Sequence, residues 1–382
     1  MATTHVFIVD TITFKYHFEY LFAGTGNGDK VIDFNNSYTT QLYAGRSHKG
    51  EDSLLGMIAD SQRIRIGDFV IFYLQQNFQE GIREGKFYGV FKVKEAPSFL
   101  DNNDNSQFLK SQLNKSLTFR TIIEADQVYA KGVSEWEALD EIRNIQSPNQ
   151  MLWSLIYRKL KGNCGNTMIT IYESERLINL IRNKNNRNVL DGTSFTFNKT
   201  NQQIETTQQI FQYNGRKETI NILPRLINKY CNRKQFETHL QAYILQNLEN
   251  LPMFVNQSIE WIGNEVSCGV GMQRIDIMLS INSQNRKVIP IELKSVEAYP
   301  EIIIQLQRYI DWIEQYYLPN RPSDIEPMII SREIIDKSSQ NYQDLIDAFN
   351  NFNAQNNILK LRYIEFLIDC TQNTINFNEI DY

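Results

Sequence analysis

Two neighbouring apolar stretches carry charge where buried strands normally carry none. Arg274-Ile-Asp-Ile-Met-Leu-Ser-Ile sets Asp276 among Ile275, Ile277, Met278 and Leu279. After a short loop, Asn282 to Lys287, the stretch Val288-Ile-Pro-Ile-Glu-Leu-Lys-Ser carries Glu292 and Lys294. A charge inside such a strand needs partners, because desolvating it alone is costly. Residues two apart on a strand share a face, so Glu292 and Lys294 project together while Leu293 turns into the core. An antiparallel neighbour then brings Asp276 beside them.

Two carboxylates and an ammonium at one point suit a hard cation. Asp276 and Glu292, with the backbone carbonyl of Leu293, are the oxygen ligands that Mg²⁺ takes together with waters and substrate phosphate, with Mn²⁺ as a substitute. Lys294 is placed to orient or help deprotonate a water while the metal offsets charge developing on a phosphate. The expected reaction is phosphodiester hydrolysis. The competing reading of the same residues is an ion-pair cluster at a sheet edge. The helical stretch from Phe236 to Leu248, with its apolar stripe Leu240, Tyr243, Ile244 and Leu248, places Glu237 near its start. A second amphipathic helix, Glu301 to Leu318, carries Ile302, Leu306, Tyr309 and Ile313 on one stripe with Gln305 beside it. Arg274 shares the strand face of Asp276 and is assigned to an ion pair or a DNA-backbone contact. His239 reads as a helix-surface residue.

Glu237 with Leu240, Arg274-Ile275-Asp276, Glu292-Leu293-Lys294, then Gln305-Leu306 and Tyr309 resemble the PD-(D/E)XK nuclease superfamily, and more closely the carboxy-terminal domain of NucS-type (EndoMS-type) endonucleases. The resemblance spans about residues 226 to 320. It implies a restriction-endonuclease-like core, a mixed sheet flanked by helices, in which Glu237, Asp276 and Glu292 bind the metal, Lys294 assists the water, and Gln305 supports the metal site or the scissile phosphate.

The 382 residues, 42% hydrophobic and 22% charged, fit two or three ordinary domains. A net charge of −5 gives the whole chain no general attraction for phosphate, so any nucleic-acid surface is local. Residues 1 to 190 hold 22 Lys and Arg against 21 Asp and Glu, leaving 17 against 23 for the rest. The segment Ile142 to Leu190 is the most basic, with Arg143, Arg158, Lys159, Lys161, Arg176, Arg182, Lys184 and Arg187 against Glu173 and Glu175. It reads as a nucleic-acid contact or as solvated helix faces. Polar, Asn-rich sequence puts a linker at 191–225, with a hairpin at Phe211 to Ile220 turning on Asn214-Gly215. The domains expected are therefore 1–190 and 226–382. Cys164, Cys231, Cys268 and Cys370 are scattered without a C-x-x-C pair, which argues against a disulfide framework or a zinc site and favours a reducing cytoplasm. Neither a signal sequence nor a membrane span is read, so no membrane partner is expected.

The first half reads as a mixed β-barrel-like or α+β module. His5 to Phe14 reads as a strand, Ile66 to Leu74 and Gly85 to Val93 as an antiparallel pair, Glu135 to Ile145 and Asn149 to Leu160 as helices, and Met168 to Tyr172 as a strand before the helix Ser174 to Arg182. Gly67-Asp68 opening a strand that ends in Phe72-Tyr73, followed by Gly85-x-x-x-Gly89-Val90, resembles the PUA-like EVE and YTH group. That resemblance implies a β-barrel-type domain with helices that holds one base, often modified, between aromatic walls, with Tyr73, Tyr88, Trp136 and Trp153 as the aromatic residues. The expected whole is a base reader joined to a metal-dependent DNA endonuclease, a modification-dependent restriction enzyme. NucS-like repair of mismatched or branched DNA, a non-catalytic nucleic-acid binder on a degenerate nuclease fold, and an RNA substrate are the alternatives. A homodimer would supply two active sites for a double-strand cut.

Overall fold

Asp10 ends the first strand. Its side chain accepts the N–H groups of Ile12 at 3.1 Å and Thr13 at 2.8 Å, and the Thr13 hydroxyl accepts the Asp10 N–H at 3.2 Å. This reciprocal cap starts a helix, so β1 covers Thr4–Val9 and α1 covers Thr11–Glu19, where alternation predicted one strand running to Phe14.

The computed structural model describes residues 2–26, 31–33, 48–95, 97–153, 165–269, 273–284 and 286–382. These are mixed α+β and divide between Ile220 and Asn221 into two compact units.

In the first unit, β2 (Phe22–Thr25) and α2 (His48–Gln62) are followed by β3 (Phe69–Leu74), β4 (Lys86–Val93), β5 (Phe99–Leu100), α3 (Lys110–Leu113), β6 (Phe119–Ala125), β7 (Val133–Ser134) and α4 (Glu135–Asp140). Then come β8 (Asn166–Ile169), α5 (Ile171–Lys184), β9 (Phe195–Asn198) and β10 (Gln203–Thr206). One sheet runs β2-β6-β4-β3-β1-β8, with β5 on β6 and β7 on β4. β3 and β4 pair antiparallel as expected, whereas β1 and β3 are parallel. The expected helix from Asn149 begins instead as a short 3₁₀ turn at Pro148–Gln150, and residues 154–164 lie outside the described ones. Asp68, at the mouth of β3, accepts the N–H of Thr3 at 3.0 Å, the N–H of Arg65 at 2.9 Å and the His5 ring at 2.9 Å. Gly67 supplies the positive φ of 83° that turns the chain into it. The Gly-Asp pair is thus a buried strand cap.

The region 191–225 is not a linker. Phe195, Phe197 and Ile204 of β9 and β10 are buried in one cluster with Phe14, Tyr88 and Phe91, and apolar burial of that kind outweighs the polar composition around it. Nor does Asn214-Gly215 make a hairpin. Glu218 exchanges two backbone hydrogen bonds with Leu100 at 2.8 and 3.0 Å, and the Tyr213 ring packs on Phe22, Phe99 and Phe108. Arg216 binds Asp104 at 2.7 Å. These long-range contacts outweigh the local turn preference.

The second unit opens with α6 (Leu223–Cys231) and α7 (Glu237–Asn247). β11 (Ile259–Ser267), β12 (Arg274–Ile281) and β13 (Val288–Glu297) form an antiparallel meander. α8 (Ile302–Trp312) crosses to β14 (Met328–Arg332), and α9 (Gln340–Gln355) crosses to β15 (Arg362–Asp369). β13, β14 and β15 run parallel, and β16 (Thr374–Ile380) closes the six-stranded sheet antiparallel to β15. Tyr363 packs on Phe349 of α9 and Phe366 on Phe236 before α7. Residues three apart on a strand face opposite ways, so helices cover both faces of the sheet. Ile277, Leu279, Ile289, Ile291, Ile329 and Ile330 are fully buried there, the reason these strands read as apolar runs.

Cys231, at the end of α6, and Cys370, just past β15, are joined by a disulfide with Cα atoms 6.1 Å apart. This corrects the reading of the scattered cysteines as arguing against disulfide bonding. The two are 139 residues apart in sequence and only the fold brings them together. No helix among the described residues is long and apolar enough to cross a membrane.

Candidate active site

The ladder between β12 and β13 runs from Ser280 opposite Val288 to Ile277 opposite Ile291 and stops there. At this fork stand Asp276, Glu292 and Lys294, as expected from their alternation. The Asp276 carboxylate accepts the Leu293 N–H at 2.7 Å, replacing the ladder bond that β12 no longer provides. Two residues on, the Ser295 N–H on the same edge of β13 is accepted by Glu237 at 2.9 Å. The carbonyl of Leu293 leaves the strand on the edge of its N–H, toward the opening.

Glu292 is fully buried. One oxygen is bound by Lys294 and the other lies 2.7 Å from the hydroxyl of Tyr309 on α8. That hydroxyl is also 2.7 Å from the carbonyl of Arg274 and accepts the Gln305 amide at 2.6 Å. Its single hydrogen serves one of the two oxygens at a time. Gln305 therefore does point back to the strand ends, acting on Glu292 through Tyr309.

The electrostatics are those of excess negative charge in a dry place. Burial, and then the neighbouring Glu292, hold the Asp276 carboxyl well above its usual range. Burial raises Glu292 as well, with Glu237 adding to the rise and Lys294 and Tyr309 opposing it. Burial pulls the Lys294 ammonium down, but Glu292, Glu237 and Asp276 together outweigh it and raise its pKa. Lys294 thus stands charged, as a donor. Burial and Glu292 also raise the Tyr309 phenol, which stays protonated.

The donor set fits a hard divalent cation: carboxylates of Asp276 and Glu292 whose mutual repulsion a cation would relieve, and a carbonyl on the open edge. Among the described residues, no three His, Cys, Asp or Glu side chains stand close enough to hold a metal ion together. The expected set of three acids, Glu237, Asp276 and Glu292, is therefore not brought together, and Asp276 with its neighbour Glu292 is the pair left for a cation. Two carboxylates suffice for Mg²⁺.

Other expected residues fall elsewhere. Arg274 is exposed and pairs with Glu265 at 3.1 Å. His239 is buried, not on the helix surface. In the first unit Tyr88 is fully buried against Phe14 and Phe197 with its hydroxyl on the Gln202 carbonyl at 2.8 Å, and Tyr73 is buried with its hydroxyl on Glu135. Neither ring is open to a base, because helices and β9 cover the faces of their strands. Trp136 is 63% exposed, and Trp153 donates its indole N–H to the Pro148 carbonyl at 3.1 Å. Arg158, Lys159 and Lys161 lie outside the described residues. Of the remaining basic segment, Arg176 binds the carbonyls of Gln150 and Ala138, and Lys184 binds Glu137.

Sequence reasoning missed Gln241 and Glu265. Gln241, one turn after Glu237 on α7, is buried and donates to the Asp276 carbonyl at 2.8 Å and to Glu265 at 3.3 Å. Its spacing of four from Glu237 was the available signal. Glu265 lies on β11 between Asn264 and Val266, which pair with Ile277 and Ile275 on either side of Asp276, and has a positive φ of 50° in mid-strand.

No protein-family model matches the chain, and no curated protein matches it in sequence.

Proposed function

We propose that this chain is a Mg²⁺- or Mn²⁺-dependent endonuclease that hydrolyses phosphodiester bonds in DNA, its second unit being a PD-(D/E)XK-type domain. The observation that carries this reading is the fork in β12–β13, where Asp276, Glu292 and Lys294 meet on one face in a buried setting that raises both carboxyls. A structural ion pair would need one acid for one base; here a second acid beside the pair leaves charge for a cation to neutralise.

Asp276 and Glu292 would hold the cation, which when bound offsets phosphate charge and acidifies a water. Lys294 keeps its proton on Nζ and donates to an incoming oxygen, fixing its direction of approach. Tyr309, itself bonded by Gln305, orients Glu292, and Asp276 is pinned by the Leu293 N–H, so little reorganisation accompanies the reaction.

The substrate proposed is DNA carrying a modified base, with Trp136, exposed where Tyr73 and Tyr88 are buried, as the first unit's contact to it. Repair of mismatched DNA is separated from it by cleavage of unmodified, cytosine-modified and mismatched duplexes with Mg²⁺ or Mn²⁺, run beside Glu292→Ala. Cutting of one substrate class, lost in the variant, supports the enzyme and names the class. A second reading rests on the fact that both Glu292 oxygens already have partners: the cluster would then be a scaffold and the chain a nucleic-acid binder. Salt-dependent binding without cleavage, unchanged in Asp276→Ala, would establish that reading and overturn the first.

A further inference from the structure

The fork that separates Asp276 from Glu292 is held open from outside the sheet. Glu237 and Gln241 are four residues apart on α7, and so lie on one face of that helix. Glu237 accepts the Ser295 N–H of β13 at 2.9 Å, while Gln241 donates to the Asp276 carbonyl of β12 at 2.8 Å. One helix face therefore grips both strands just beyond the last ladder pair, Ile277 opposite Ile291. Each grip is also chemically specific. A carboxylate can only accept and takes a backbone donor, whereas the amide donates to a backbone acceptor.

We infer that α7 is a two-pronged clamp that sets the spacing of the metal-binding carboxylates, with Gln241 as a positioning residue for Asp276 and Glu237 acting on the backbone of β13. The inference rests on the proposed nuclease reading for its catalytic consequence, but the clamp itself is a statement about the chain without metal. A helix face that merely packed would meet the strands through apolar side chains. Here a buried glutamine spends its amide on the backbone carbonyl of Asp276 itself. The same amide reaches Glu265 on β11, so the grip extends over three adjacent strands.

The experiment uses the full chain with Gln241→Met, which keeps the length and removes the donor, and Gln241→Asn, which keeps the amide but shortens its reach. Backbone hydrogen exchange of the metal-free protein is read first. The amides of Leu293 and Ser295 should exchange at least about 10-fold faster in both variants, while Ile289 and Ile291, inside the ladder, stay at the parent rate. Mn²⁺ affinity, measured by titration calorimetry without substrate, should weaken by about 10-fold, the scale on which outer partners of a metal site act. If the parent cleaves DNA, kcat should fall with KM unchanged. Exchange at Leu293 and Ser295 equal to the parent in both variants overturns the clamp, as does uniform acceleration throughout the unit, which marks a packing residue. A parent that neither cleaves nor binds Mn²⁺, but in which the variants still speed exchange at Leu293 and Ser295, overturns the nuclease reading and leaves the clamp standing.

Discussion

Asp276 Oδ2 lies 2.7 Å from the backbone nitrogen of Leu293, so the carboxylate of one strand takes the place of a missing ladder bond to the next. That contact makes Asp276 part of the sheet and part of the site at once, and it separates what stability wants from what chemistry wants.

Asp276→Asn should stabilise the protein while abolishing cleavage. The folded carboxyl sits above its ordinary value of 3.8, raised by burial and then by Glu292. Between those two values the folded chain holds a proton that the unfolded chain has released, so this group costs stability increasingly as pH rises through that window. Asparagine keeps an oxygen for the Leu293 N–H and carries no charge. Thermal unfolding in EDTA should show the variant more stable at pH 8, by about 2–4 °C for each kcal/mol regained, with the gap closing toward pH 4. A variant melting below its parent at pH 8 would refute the assignment.

Lys294→Met should destabilise the second unit. Glu292 is fully buried, and removing the ammonium bound to it leaves a buried carboxylate with Tyr309 as its remaining named partner. Breaking such a pair costs about 3 kcal/mol. The double variant Lys294→Met, Glu292→Gln should recover most of that loss in urea unfolding; failure to recover it would place the damage elsewhere.

His17 should remain neutral well into acid. Burial, then the nearby Arg120, pushes its pKa down to about 3. The ring lies 3.0 Å from the Thr13 carbonyl through Nδ1 and accepts the Gly24 N–H at 3.3 Å through Nε2, a neutral tautomer with both nitrogens used. The unfolded chain takes up its proton near 6.5, so the first unit loses stability as pH falls from there toward 3, on the order of 3–5 kcal/mol in full. An NMR titration of the ring showing a midpoint near 6 would contradict this.

Reduction should loosen the second unit. A disulfide across 139 residues restrains the unfolded chain strongly, and its loss costs about 2–4 kcal/mol. Urea midpoints with and without a thiol reductant, compared with Cys231→Ser, measure the difference; identical midpoints in all three would deny the bond a role.

The strands around Asp276 and Glu292 were legible because charge in an apolar run is a two-residue-period signal that survives without tertiary information. α7 and α8 were legible from their stripes, and Gln305 and Tyr309 with them. Gln241 was not, since its task is a bond to a backbone carbonyl two strands of chain away, and a polar helix residue gives the same pattern whether it meets solvent or a buried carbonyl. Tyr73 and Tyr88 misled for a related reason. Alternation says which face of a strand a ring takes, but not whether that face is later covered: β9 and β10, hidden in a polar stretch, cover Tyr88, and Leu177 and Ile181 of α5 cover Tyr73. Asp10 could have been read as a cap; the apolar alternation on either side masked it.

The bond between Cys231 and Cys370 also makes a covalent ring of the chain between them, and Glu237, Gln241, Asp276, Glu292, Lys294, Gln305 and Tyr309 all belong to that ring. A protease that nicks this ring once leaves a single molecule of unchanged mass but for one added water. Its two pieces part on a gel only after a thiol has opened the ring, so the sealed form can outlive a cut that would divide the reduced one.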